Sequence, residues 1–149
     1  MIIAIDIGGT KTLVAVCKTD GTIVAEQRFE TPKEYKNFLA QLKNAFSQLP
    51  LKDCSLTVVA APGKINRQNG VVVEFGNLPW KNVPLKKDVS ALSKTDVLLE
   101  NDANLAGLSE AHNLKPQPHR VLYITFSTGI GTGLVTDGSL DPEFLDSEG

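Results

Sequence analysis

The chain has 149 residues, with 15 Lys and Arg against 17 Asp and Glu, for a net charge of −2. That length suits one well-cored domain, and the slight acidity argues against electrostatic binding to nucleic acid or an anionic membrane. No apolar run reaches transmembrane length, and nothing near Met1 has the basic and apolar segments of a secretion signal, so a cytoplasmic protein is expected. Cys17 and Cys54 have no metal-ligand spacing and read as small buried thiols.

The first element is the apolar run Ile2 to Ile7, interrupted by Asp6. Such a run predicts a central strand covered on both faces. A carboxylate near its end is costly unless it meets a metal, water or a partner. Gly8-Gly9-Thr10-Lys11 follows, and Leu13 to Val16 returns as a strand with no helix between. A turn of this kind offers backbone N–H groups, a hydroxyl and a cation to an anion. A plain hairpin with a glycine turn accounts for the same residues.

Thr12 to Lys18 and Thr22 to Phe29 read as strands joined at Asp20-Gly21, which makes a three-stranded meander. Thr31-Pro32 is predicted to cap a helix whose apolar stripe is Tyr35, Phe38, Leu39, Leu42, Ala45, Phe46 and Leu49, ended by Pro50. Leu56 to Ala61 is a buried strand running into Pro62-Gly63, a turn at a strand end where open α/β sheets place ligands. Val71 to Phe75 leads to a loop, Gly76 to Trp80, with the single tryptophan as its anchor. Asn77 there is either a turn former or an amide offered to a polyhydroxyl ligand.

Pro84 to Leu92 reads as a helix and Val97 to Leu99 as a parallel-strand candidate leading into Glu100-Asn101-Asp102-Ala103-Asn104. Asp102 or Asn101 can cap the next helix, yet the polar groups there exceed what a cap needs. Val121 to Phe126 delivers a second glycine turn, Ser127 to Gly133, with Leu134-Val135 returning. Asp137-Gly138 makes a further turn, and no element is predicted from Asp141 to Gly149. Two glycine-threonine turns, an acid ending the first strand and Asp102 at a later strand end describe a nucleotide clamp, a metal-facing carboxylate and a base. Phosphoryl transfer to a hydroxyl needs those parts.

The four segments Asp6 to Lys11, Gly76 to Trp80, Glu100 to Asn104 and Ser127 to Gly133 resemble, in order and spacing, the motifs of the ROK family (repressors, open reading frames and kinases). The first motif alone would also admit hexokinases and other actin-like ATPases. The resemblance implies an α/β fold: a ribonuclease-H-like, actin-like ATPase lobe with a mixed five-stranded sheet flanked by helices. It implies an ATP-dependent kinase acting on a hexose or N-acetylhexosamine hydroxyl, with two lobes and the active site in the cleft.

By that resemblance Asp102 is the catalytic base, and Gly63, Asn77, Asn101, Asp102 and Glu148 contact the sugar. Asp6, Gly8, Gly9, Thr10 and Lys11, with Thr128, Gly129, Gly131 and Thr132, face ATP, and Asp6 holds Mg²⁺ through water. Ser147 stands where the family has a glycine before Glu148. ROK kinases continue for about as many residues again, in a lobe that carries the adenosine pocket and, in many, a structural Zn²⁺. The chain is therefore expected to be an N-terminal small lobe over 1–149, inactive alone, with an uncovered apolar surface that favours a homo-oligomer. Two rivals are a sugar-sensing regulator, disfavoured because no helix-turn-helix precedes the first strand and the charge is negative, and a non-catalytic binding module.

Overall fold

The computed structural model describes residues 1–126 and 129–147. The chain divides into two compact units, Met1–Glu100 and Asn101–Gly149.

The first unit opens with β1 (Ile2–Ile7), β2 (Lys11–Cys17) and β3 (Ile23–Glu30), each antiparallel to the one before. The chain turns at Gly21, whose φ of 86° is left-handed territory. β4 (Leu56–Ala61) runs parallel to β1, and β8 (Asp96–Asn101) completes a mixed sheet ordered β3-β2-β1-β4-β8. β1 is the middle strand, as the apolar run predicts. Its two faces differ: Ile3, Ile5 and Ile7 are buried, Ile2 and Ala4 are half-buried, and Asp6 is exposed. Asp6 thus lies on the open side of the strand, where water relieves the cost that a carboxylate would carry in an apolar run.

α1 (Tyr35–Ser47) covers the buried face with Phe38, Leu42, Ala45 and Phe46, which recur at helical spacing. Each large apolar side chain buried this way contributes about 1.5–3 kcal/mol. The helix starts later than predicted, at Tyr35, with Glu34 as N-cap and no side-chain cap. Thr31 does not cap it, because its hydroxyl is used elsewhere, as described below.

β5 (Lys64–Asn66), β6 (Val71–Glu74) and β7 (Lys81–Val83) form a small antiparallel sheet ahead of α2 (Leu85–Ser93). Trp80 is 3% exposed and stands among Phe38, Phe75 and Tyr35, with ring centroids at 4.8, 4.9 and 5.3 Å. Its Nε1–H donates to the Lys33 carbonyl at 2.8 Å. Trp80 is thus the loop anchor it was read to be. Tyr35 donates to Asp88, and burial with that acceptor pushes its phenol above the ordinary range.

In the second unit α3 (Asp102–Asn113) packs on a sheet of β9 (Arg120–Phe126), β10 (Ile130–Thr136) and β11 (Ser139–Leu140). Gly107 on α3 would place a Cβ 2.9 Å from that of Tyr123, so helix and sheet touch at a residue without a side chain. α4 (Pro142–Ser147) was not foreseen, although its start signal was present in the sequence. Asp141 Oδ1 accepts from the Glu143 and Phe144 N–H groups at 3.1 and 3.2 Å, and Pro142 takes the first helical position. Cys17 and Cys54 are half-buried rather than enclosed, and burial pushes the Cys54 thiol up. Among the described residues no helix is long and apolar enough to cross a membrane.

Candidate functional site

In the first unit, β1 ends at Ile7 and the chain reverses through Gly8, Gly9 and Thr10 into Lys11, the first residue of β2. The Gly8 N–H donates to the Lys11 carbonyl at 3.0 Å, closing the turn. Gly8 therefore spends its own donor inside the protein, which leaves the Gly9 backbone, Thr10 and Lys11 to meet an anion. Neither glycine has a left-handed φ. Both are required by close approach. A Cβ on Gly8 would lie 2.8 Å from the Lys11 carbonyl oxygen, and one on Gly9 would lie 2.7 Å from Asn77 Cβ. The turn and the Asn77 loop are thus in direct contact, and Trp80 pins that loop from the core side.

Thr10, Lys11 and Asn77 are exposed. Asp6, just ahead of the turn, is exposed as well. Among the described residues no three His, Cys, Asp or Glu side chains gather as a metal site. Mg²⁺ does not require one, since it keeps much of its water and is held by one or two carboxylates plus substrate phosphates. An exposed carboxylate beside a turn of backbone donors fits that donor set.

Gly63 occupies the turn between β4 and β5 with φ +107°, and a Cβ there would meet the Glu74 carbonyl oxygen at 2.0 Å. Only glycine satisfies both conditions. Glu100, near the end of β8, is held by Arg67, whose Nε and Nη2 donate to its two carboxylate oxygens at 2.9 and 2.5 Å. The acid is 13% exposed. This fork explains one of the surplus polar groups at that strand end: Glu100 ties the Asn66–Gly70 turn to β8.

In the second unit Asn101 is the N-cap of α3, its Oδ1 accepting from the Ala103 and Asn104 N–H groups at 2.9 and 3.3 Å. The sequence left the cap to either Asn101 or Asp102. The structure assigns it to Asn101, which has the extended backbone a cap needs (φ −64°, ψ 142°). Asp102 takes the first helical position, is exposed, and has its Oδ1 steadied by the Ala103 N–H at 2.9 Å.

Two glycines of the second glycine-rich stretch lie within β10 and serve packing. Cβ atoms on Gly131 and Gly133 would fall 2.9 Å from Ala103 Cβ and 2.8 Å from the Ala103 carbonyl oxygen, so these glycines let α3 lie on β10. Thr132, which pairs with Ile124, alternates to the other face of the sheet. Gly129 alone of the described glycines in that stretch has open space around it. Thr128 and Glu148 lie outside the described residues. Away from these residues, a cavity of 230 Å³ between β3 and α1 is lined by Gln27, Arg28, Gln41 and Asn44, with neither a carboxylate nor a glycine turn.

The model of the ROK family matches residues 2–141. The chain belongs to the ROK family. Its fold is accordingly the actin-like ATPase fold of ROK sugar kinases. Over 140 residues it is 32% identical to a glucokinase of Streptomyces coelicolor, covering 93% of this chain and 44% of that protein. Over 144 residues it is 33% identical to an N-acetyl-D-glucosamine kinase of Mannheimia succiniciproducens, covering 94% and 47%. A ROK family glucokinase from Streptomyces griseus, solved in complex with glucose and AMPPNP, superposes with a TM-score of 0.82 at 27% identity, covering 94% and 46%. A ROK family transcriptional regulator, a homologue of the E. coli MLC protein, also reaches 0.82 at 19% identity, which is a likeness of fold alone. This ROK chain spans less than half the length of the kinases named above.

Two residues that support the site escaped the sequence reading. Arg67 sits in a polar turn, and nothing local says that it reaches across to Glu100. Thr31 had been assigned to a helix start.

Proposed function

We propose that the chain is the small lobe of an ATP-dependent sugar kinase that phosphorylates a hydroxyl of a hexose or N-acetylhexosamine. The observation that carries this reading is Asp102: an exposed carboxylate, steadied by a backbone N–H, at the junction of a strand and a helix. The names of the kinase relatives support the same reaction. Bound ATP with Mg²⁺ supplies the transferable phosphoryl group and neutralises its charge. Asp102 takes the proton of the attacking hydroxyl. Gly9, Thr10 and Lys11 of the first unit would hold phosphate oxygens, Gly129 of the second would offer its backbone to phosphate, and Asp6 would hold Mg²⁺ through water. Gly63 and Asn77 shape the sugar loops of the first unit.

Asn101 has two parts to play, and two variants separate them. Its Oδ1 is used by the cap, so what it offers a sugar hydroxyl is an Nδ2–H. Asn101→Asp keeps a capping oxygen and is expected to keep Tm while raising the sugar KM. Asn101→Ala loses both, with a stability cost of about 1 kcal/mol. Thermal unfolding beside sugar kinetics checks the pair. Equal sugar KM in the wild type and the Asp variant would remove Asn101 from the sugar site.

The test of the whole reading is ATP-to-ADP turnover against hexoses and N-acetylhexosamines, made on this chain alone and in its full reading frame. Turnover in the full frame with little in the chain alone is expected. Sugar binding without turnover in either would move the reading to a sensor.

A further inference from the structure

Thr31 stands just past the end of β3, and its side chain is turned beneath the Gly8–Lys11 turn. Its hydroxyl donates to the Gly8 carbonyl at 2.7 Å. A hydroxyl has one hydrogen, so in the 2.9 Å contact between Thr12 Oγ1 and Thr31 Oγ1 the donor is Thr12. Both residues are buried, at 0% and 6% exposure. The Thr31 N–H donates in addition to the Thr10 carbonyl at 2.8 Å. One residue thus fixes two peptide planes of the turn, those that follow Gly8 and Thr10.

In a trans peptide the C=O and the next N–H point in opposite directions. With the Gly8 and Thr10 carbonyls drawn toward Thr31, the N–H groups of Gly9 and Lys11 are aimed away from it. We propose that Thr31, seconded by Thr12, is a positioning residue for phosphate: it presents the Gly9 and Lys11 N–H groups as a preset pair of anion donors. The proposal rests on the kinase reading and deepens it, since it names what aims the turn. Preset donors gain affinity because the ligand need not order them. A turn whose peptide planes are released would lose that advantage while keeping its sequence.

The experiment is a titration of the ¹⁵N-labelled 149-residue chain with Mg·ATP, following the Gly9 and Lys11 amide resonances, on wild type, Thr31→Val and Thr31→Ser. Wild type is expected to show saturable shifts at both amides. Thr31→Val, which keeps the shape and loses the hydroxyl, should weaken the Kd about ten-fold, and Thr31→Ser should restore it to within about two-fold. A lower Tm for Thr31→Val with an unchanged Kd overturns the proposal and leaves the kinase reading standing, because the hydroxyl then serves stability alone. Failure of Thr31→Ser to restore binding overturns it too. Should Thr31→Val not fold, Thr12→Val is read the same way, loss supporting and wild-type affinity overturning. A wild-type chain whose Gly9 and Lys11 amides ignore Mg·ATP overturns this proposal, while the kinase reading is decided separately by turnover in the full reading frame.

Discussion

Asp102→Asn, made in the full reading frame, is expected to lower kcat by about 10²–10⁴-fold, the usual weight of general-base catalysis. The structure makes asparagine the clean choice. Asp102 Oδ1 accepts the Ala103 N–H, and an asparagine oxygen can do the same. The N-cap belongs to Asn101 and is untouched. Tm should therefore hold while turnover collapses, with the sugar KM changing little if Asp102 acts chiefly in the transition state. Steady-state kinetics beside thermal unfolding measures both. Near-normal kcat would exclude Asp102 as the base, and a matching fall in Tm would show that the variant reports on folding.

The second large effect is on stability. Gly63→Ala is expected to cost about 3 kcal/mol or more, a sizeable share of the roughly 5–15 kcal/mol that holds a domain together. Two independent penalties combine there. The backbone has φ +107°, and the new Cβ would sit 2.0 Å from the Glu74 carbonyl oxygen, which is main chain and cannot step aside cheaply. Gly21→Ala isolates the first penalty: its φ is +86°, but nothing lies within 4 Å of the added carbon. It should cost about 1 kcal/mol. Denaturant midpoints for the two variants give the comparison, and equal shifts would show that the contact with Glu74 is relieved by movement. A role for Gly63 in the sugar pocket would have to be tested by ligand binding, since its identity is already demanded by the backbone.

Much of the candidate site is legible in the sequence because its parts are short and local. The Gly8–Lys11 turn, the Asn101–Asp102 helix start and the Gly129–Gly133 stretch each show within a few residues. The reasons for the residues were less legible. Gly9, Gly131 and Gly133 look alike as turn glycines, yet the structure gives each a neighbour: Asn77 for the first, Ala103 for the other two. Glu100 reads as one more acid in a polar cluster until Arg67 closes on it. Thr31 beside Pro32 makes a good helix start on paper. In the folded chain its hydroxyl finds the Gly8 carbonyl instead, and the helix begins later without a side-chain cap.

What the chain's sequence determined by itself was the alternation of strands and helices, the reversal points and the candidate acids, since each of these depends on neighbours in the chain. Side-chain period separates strand from helix, and glycine or a capping side chain marks each end. The tertiary structure decided which acid is exposed and which is paired, and why each glycine has no side chain. It also decided which hydroxyl sets the aim of the turn. Those outcomes depend on contacts across the sheet and between loops, such as Thr31 with Gly8, Arg67 with Glu100 and Gly9 with Asn77. Contacts between residues so far apart along the chain leave no periodic trace in it, and they exist only once the strands have paired.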